Sequence, residues 1–421
     1  MGLVSQAWPK DMQSLPESLL AWLHEMGMPS VPARLSAAAC HQEIAAETLA
    51  GIDAFIEVFE RVTSRPAWAK AVVTGAPEIA QHESPEVCFF SAWDFHLPEG
   101  CPNGWQLIEF NDNGSGFLFG ALVNRGFYEV GGLAERDAVE RPPSLAEFAE
   151  RLAAMVEREA RAFFGNRATG LFLILDDAES LERGRFLDEL VLLRELLQQH
   201  GFEAAIAPPE ELRQDGARLL LAGRAVSFVV NRSTDFFWEA AAFAPLRAAW
   251  RDGLVYVAPN PFTYATRSDK RLLAPLSRPD RDEEFAIRPE DRAVLSAHVP
   301  ETWVVREDNL DALVRRKDEL VFKPARGFAA RGLLPSSQVG HSRLHRLLAK
   351  GHEYVAQRRV PKRRLPGSAG PPDLWTDLRV WAYRGKRFLL SGRASLRPDG
   401  IDLHPPGGWL ATYPSRRAPA R

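Results

Sequence analysis

Trp105-Gln-Leu-Ile-Glu-Phe-Asn-Asp-Asn-Gly-Ser-Gly116 is the stretch on which the reading of this 421-residue chain turns. Its apolar lead-in, residues 105–108, has the texture of a β-strand, and a glycine-bearing loop follows it. Residues two apart on a strand point the same way, so Glu109 and Asn111 aim two oxygen-bearing side chains at one spot while Phe110 turns into the layer behind. A carboxylate beside an amide carbonyl suits a hard cation such as Mg2+, which takes oxygens at short range and keeps phosphate or water in its other positions. Asp94 closes a second strand-like run, Phe89-Phe-Ser-Ala-Trp-Asp94, and could add a third oxygen across a hairpin. The same residues also fit a turn carboxamide beside a surface glutamate, because Asx turns are common. The far end of the chain bears on that choice.

The totals bound the problem. At 421 residues the chain is long enough for two or three packed domains, and with 46% apolar and 25% charged residues its composition is that of a soluble globular protein. Fifty-two Lys and Arg against 55 Asp and Glu leave a net charge of -3, which implies no nucleic-acid or membrane partner at whole-chain level. Residues 341–365 depart from that balance, with eight Lys or Arg and one acid, Glu353. Cys40, Cys88 and Cys101 are widely spaced, which argues for a reducing compartment and against a structural zinc site. No secretory leader or membrane-length apolar run is apparent, so the expected location is the cytoplasm. Nothing in the sequence speaks to oligomeric state.

In chain order, proline-punctuated connectors lead to an amphipathic helix predicted over Ser36–Val62, with Ile44, Leu49, Ile52, Phe55, Ile56 and Phe59 at roughly helical spacing. Strands are expected over Val87–Trp93 and Trp105–Phe110. Ser144 caps a helix running to about Phe164, with Glu147 at the capping-box position. The texture then changes to short apolar strands, Leu171–Leu175, Ala204–Ala207, Val226–Val230 and Leu254–Ala258. Between them lie helices predicted over Leu181–His200 and Asp235–Trp250. This alternation makes a doubly wound parallel sheet, whose ligands collect at the strand C-terminal ends. Asp176, Asn231, Arg232 and Asn260 stand there, though turn residues end strands in any case. Further strands are expected at residues 300–305, Glu319–Lys323, Tyr354–Gln357, Leu378–Tyr383 and Phe388–Ser391, the last two joined by a turn at Arg384-Gly385. The tail after Trp409 reads as frayed.

Lys323 ends an apolar strand directly before Pro324-Ala-Arg-Gly327-Phe-Ala-Ala-Arg331-Gly332. An ammonium there could meet a phosphate, with loop N–H groups and guanidinium forks beside it. Gly327 and Gly332 allow a close backbone approach, and the Gly-Lys-Ser/Thr ending of a Walker loop is missing. The alternative is a hairpin with solvated charges. Gln357 lies on a strand whose edge could meet an adenine ring. Arg379 and Arg393, on neighbouring strands, could steady a transferring phosphoryl group, or could be surface arginines. His341 and His345 share a helix face with nothing beside them to complete a metal site.

Together these segments resemble the ATP-grasp ligases. The order Asp269-Lys270, residues 300–302, Lys323 with its glycine loop, Gln357, then Asp377-Leu-Arg379 is similar to the nucleotide half of that superfamily. Its Glu-x-Asn magnesium motif normally comes last. Here it stands at Glu109-Phe110-Asn111, which resembles the circularly permuted members of the glutathionylspermidine synthetase type, including an aspartate at Asp94. The likeness spans about residues 85–400. It implies an α/β chain with a circularly permuted ATP-grasp fold: residues 1–165 carrying the permuted metal-binding part, 166–265 the doubly wound domain, and 266–421 the nucleotide-binding part. It further implies ATP and Mg2+ as cofactors, with Asp94, Glu109 and Asn111 on the metal. Lys270, Lys323, Gly327, Arg331, Gly332 and Gln357 would lie on the nucleotide, and Arg379 and Arg393 on the γ-phosphate or acylphosphate. Small-molecule carboxylate and amine substrates would be joined through an acylphosphate. One departure stands out, since the synthetase type has an arginine where this chain has Ala92. A catalytically silent nucleotide-binding scaffold is therefore the second reading. An RNA- or polyanion-binding protein using the basic stretch around Arg343–Arg364, which Arg358, Arg359, Arg363 and Arg364 would test, is the third, weakened by the few aromatics in it.

Overall fold

A computed structural model describes residues 15–26, 35–86, 89–101, 103–135, 138–165, 170–184, 186–327, 332–366 and 372–416. Three sheets organise it. The first contains β1 (Ala37–Ile44), β2 (Ser91–His96) and β3 (Gln106–Asn111) from the early chain. From the late chain it takes β13 (Arg363–Leu365), β14 (Leu374–Tyr383), β15 (Lys386–Ser395) and β16 (Gly408–Pro414). Its order is β1-β16-β15-β14-β2-β3, with β13 also on β14, and only β1 and β16 run parallel. β14 and β15 are joined at Arg384 and Gly385, both at positive φ (49° and 76°), as a two-residue hairpin of this hand requires.

Strand alternation gives this sheet two unlike faces. Trp93, Phe95, Phe110, Leu378 and Val380 form one, packed on the helix Ala46–Thr63, whose Phe55 and Phe59 meet Trp93 edge-on. Each such ring contributes roughly 1.5–3 kcal/mol by burial, enough for a few of them to dominate adhesion of helix to sheet. The opposite face carries Asp94, Glu109, Asn111, Asp377, Arg379 and Arg393. Over β15 and β16 that face is covered by the helix Phe117–Val130. Asn124 of this helix donates to the Leu390 carbonyl at 2.6 Å and accepts from the Thr412 N–H at 3.0 Å.

The middle sheet holds β4 (Leu171–Leu175), β5 (Ala204–Ala207), β6 (Leu212–Asp215), β7 (Arg218–Leu221), β8 (Arg224–Asn231) and β9 (Tyr256–Ala258). β5, β4, β8 and β9 are parallel neighbours in that order, so the chain winds both ways from β4. Helices Leu145–Phe164 and Leu187–Gln199 pack on one side and Ala244–Arg251 on the other. The third sheet is antiparallel, β10 (Thr302–Val304), β12 (Tyr354–Arg358) and β11 (Leu320–Pro324) in spatial order. No helix among the described residues is long and apolar enough to cross a membrane.

Several expectations need correction. Residues 37–44 are a strand, not the first turns of a helix. Every large apolar residue behind the helical reading lies at or beyond Ile44, and β1 is fixed by β16, a partner remote in sequence. The tail is likewise no frayed end as far as Pro414, because β16 sits between β1 and β15. The helix expected from Asp235 begins only at Ala244. Asp235 turns its carboxylate back onto the N–H groups of Glu239 and Ala240, and Pro245 belongs at a helix start. Helix Leu187–Gln199 is separated by Gly184 from a shorter one, Ala178–Arg183. Of the strand expected at Val87–Trp93, residues 87 and 88 lie outside the described residues and the observed strand is Ser91–His96, and the hairpin β6–β7 was not foreseen.

Candidate active site

The polar face of the first sheet meets the third sheet, and charged side chains fill the junction. Asp94 and Glu109 are direct cross-strand partners on β2 and β3. The next pair is Phe95 with Leu107, so Ile108 is an extra residue in β3, a β-bulge. A bulge leaves a carbonyl without its ladder partner, and here the Ile108 carbonyl accepts from Lys323 Nζ at 3.2 Å. Lys323 also donates to Gln357 Oε1 at 2.7 Å, and Gln357 Nε2 reaches Thr302 Oγ1 at 3.4 Å. The buried amide of Gln357 thus orients the lysine. Lys270, the first residue of a 3-10 turn capped by Asp269, lies 3.1 Å from Glu109 Oε1 and donates to the Gly327 carbonyl at 2.6 Å. Two lysines from the late chain therefore come onto β3, Lys270 on the Glu109 carboxylate and Lys323 on the Ile108 carbonyl.

Beside them lies a second cluster. Arg379 grips Asp94 through Nε and Nη2, both at 2.6 Å. Arg393 lies 2.9 Å from Asp94 and bonds Asp377 through Nε and Nη2, and among the described residues nothing engages its Nη1. Both Asp94 oxygens are therefore committed to guanidinium groups, while Glu109 pairs with Lys270. His96, two residues after Asp94 on the same face, hydrogen-bonds the Val360 carbonyl through Nδ1 at 2.7 Å. A carbonyl only accepts, so Nδ1 carries the proton and Nε2 the lone pair. His96 and the neighbouring Lys362 were missed in the sequence. The two-residue spacing from Asp94 could have revealed the histidine, whereas nothing singled out Lys362.

The electrostatics are lopsided. Lys270, Lys323, Lys362, Arg379 and Arg393 stand against Asp94, Glu109 and Asp377. Burial pushes the Lys323 ammonium down to about 8, with Lys270 adding to the effect and Glu109 opposing it. Burial would raise the Asp94 carboxyl, but Arg379 and then Arg393 hold it well below the usual carboxylate range. Glu109 is likewise lowered, burial being outweighed chiefly by Lys270. His96 is brought down to about 4 by burial, which keeps it neutral at pH 7. A buried excess of cations over carboxylates suits an anionic ligand such as a polyphosphate. For the metal, no group of three or more His, Cys, Asp or Glu among the described residues is arranged to hold one. Mg2+ needs no such cage, since one or two protein oxygens plus substrate phosphates suffice, and Glu109 with Asn111 fits that pattern.

The remaining predicted residues fall out as follows. Gly332 is at φ 76°, and a Cβ there would lie 2.8 Å from Pro324 Cγ. Arg331 and residues 328–330 lie outside the described residues. A narrow cleft runs from Asn111 past Asn113, Ser268 and Tyr264 to Asn231 and Asn260 at the strand ends. Its asparagines are committed locally: Asn231 donates to the Pro259 carbonyl, and Asn260 caps a turn by accepting the Thr263 N–H. Arg359 pairs with Asp399 and Arg364 with Asp373, while Arg363 is buried, so the basic stretch makes no continuous face. His341 and His345 lie one turn apart near Asp311 and Glu307.

This three-sheet arrangement has a solved counterpart. A solved structure of a glutathione synthetase-like effector from Globodera pallida superposes on it with a TM-score of 0.56 at 14% identity, covering 96% of this chain and 98% of that one. A candidate γ-glutamylcysteine synthetase from Methylobacillus flagellatus (TM-score 0.46, 11% identity, 86% of each chain) aligns too loosely to argue from. The same holds for a RimK-domain ATP-grasp protein from Sphaerobacter thermophilus (0.30, 18%, 53% of this chain and 91% of that one). No family profile matches the chain, and neither does any curated protein.

Proposed function

We propose that this chain is an ATP- and Mg2+-dependent carboxylate–amine ligase that releases ADP, with the metal-binding strand moved ahead of the nucleotide sheet by circular permutation. The observation that carries the reading is Glu109, from the early chain, paired with Lys270 of the late chain at 3.1 Å, with the Lys323 ammonium close enough to lower its carboxyl further. Glu109 and Asn111 would hold Mg2+, which supplies charge neutralisation between phosphate oxygens. Lys270 and Lys323 would take the ATP phosphates, with Gly327 and Gly332 beside them. Asp94 would join the metal only by releasing a guanidinium; otherwise it keeps Arg379 and Arg393 aligned. Arg393 Nη1 would then meet the transferring phosphoryl group. The substrate carboxylate attacks the γ-phosphorus, ADP departs, and the amine displaces phosphate from the acylphosphate. The protein's part is alignment and charge neutralisation.

Glu109→Gln tests this. Purified protein supplied with Mg2+, ATP and pools of amino acids, short peptides and polyamines should release ADP, and the variant should lose that release while remaining folded. Ala92 favours a second reading, a nucleotide-binding scaffold without catalysis. It is fully buried and pairs across the strands with Trp381, itself fully buried. Mg2+-dependent ADP binding with no ADP release from any pool would support that alternative.

A further inference from the structure

The loop that follows Asn111 is held from two directions. Its middle hangs on the first sheet, where Trp381 Nε1 donates to the Gly114 carbonyl at 2.9 Å and Arg379 Nη1 to the Ser115 carbonyl at 3.0 Å. Its flanks hang on the middle domain. Asn113 Nδ2 donates to the Arg232 carbonyl at 2.9 Å. Helix Phe117–Val130 has Gly116 at its N-cap and so no side-chain cap of its own. Its first N–H groups are instead taken by Glu189, which accepts from Gly116 at 2.9 Å and Leu118 at 3.0 Å. Glu189 reaches across from helix Leu187–Gln199 and is fully buried, and its cation is Arg232 at 3.1 Å, itself 2% exposed and at the end of β8.

Stability alone does not account for this pair. A buried ion pair is seldom more stabilising than an apolar pair of the same shape. This one is also poorly satisfied, since Arg232 Nε and Nη1 bond nothing among the described residues. What the pair does achieve is position. It fixes the start of a helix and, through the Arg232 backbone, the loop immediately beyond Asn111. We propose that Glu189 and Arg232 are positioning residues for the cation site: they hold residues 112–116 so that the Asn111 amide is aimed beside Glu109. The strand ends of the middle domain are thereby coupled to metal affinity. The inference rests on the Mg2+–ATP reading above.

The test is ADP binding by calorimetry, with Mg2+ and with EDTA, on the unmodified protein, Glu189→Gln and Asn113→Ala, with thermal melting as a check of folding. Each variant should cut the Mg2+-dependent gain in affinity about tenfold, the usual effect of removing an outer support of a metal ligand, and leave affinity in EDTA within about twofold. An undiminished gain in a folded variant would overturn the proposal. So would an equal loss with and without Mg2+, which marks general loosening. Should Glu189→Gln not fold, Asn113→Ala decides alone, because it deletes two bonds, to the Arg232 carbonyl and from the Ser115 hydroxyl, at a half-buried side chain. If the unmodified protein binds ADP equally in Mg2+ and EDTA, the metal reading fails and this inference falls with it, a pattern distinct from failure in the variants only.

Discussion

Lys323 shows what the site costs the fold. Its ammonium is buried between two sheets, with a pKa near 8 against an ordinary 10.5. A lysine lowered on folding binds fewer protons in the folded than in the unfolded chain between those values. Its penalty is therefore full below about pH 8 and fades as pH rises toward 10.5. Lys323→Met should raise stability at pH 7 by up to about 3 kcal/mol in urea unfolding and abolish ADP binding. A destabilised variant would show that the bonds to Gln357 and Ile108 outweigh burial. Glu86 offers a case away from the site. Burial pushes its carboxyl up to about 7, against hydrogen bonds that include one from Trp250. The stability it contributes below its ordinary value of 4.5 is lost as pH rises through 7. Glu86→Gln should therefore exceed the unmodified protein by up to about 3 kcal/mol at pH 8, with the difference closing toward pH 4.5. Urea midpoints at several pH values would check both size and sign.

Among the elements, the β2–β3 hairpin and its loop do most to build the site, and the loop tolerates little. Gly114 is at φ 63°, and a Cβ there would lie 1.8 Å from the Phe90 carbonyl oxygen. Gly114→Ala should cost about 2–4 kcal/mol or prevent folding, read from the thermal midpoint and soluble yield. Gly132→Ala, also at positive φ but in open space, should cost only about 1 kcal/mol. The hairpin was legible in sequence because its information is local. A period of two places Glu109 with Asn111 and puts Phe110 behind them, and the apolar run around Asp94 supplies the partner strand. The helix Leu145–Phe164, with its Ser144–Glu147 capping box, was legible for the same reason. What escaped depends on contacts between distant residues. The strand character of residues 37–44 comes from β16, and the bulge at Ile108 from a register that no single strand reveals. The arginines at 379 and 393 carried the right chemistry in the sequence, but only the pairing of β14 with β2 shows that both are spent partly on Asp94.

At the scale of the molecule, the third sheet meets the first through a few polar links. Among the described residues these include Lys323 to the Ile108 carbonyl and Arg358 to Gln106, and the 3-10 turn beside the third sheet adds Lys270 to Glu109. A ligand bridging them would add to stability by mass action. At a hundredfold excess over Kd, Mg2+-ADP should stabilise the protein by about 2.7 kcal/mol, and EDTA should reduce that increment. Hydrogen exchange should slow in β11 and β12 as well as β3, and protection confined to one sheet would count against a shared nucleotide. The parallel pairing of β1 with β16 carries a different consequence. Gln42 bonds Thr412 across 370 residues, so during synthesis the ribosome delivers β1 long before its neighbour exists. Until then β1 waits as an open edge that chaperones or stray strands can occupy. The first sheet, and with it the junction that holds Glu109, is a late event in the birth of each molecule.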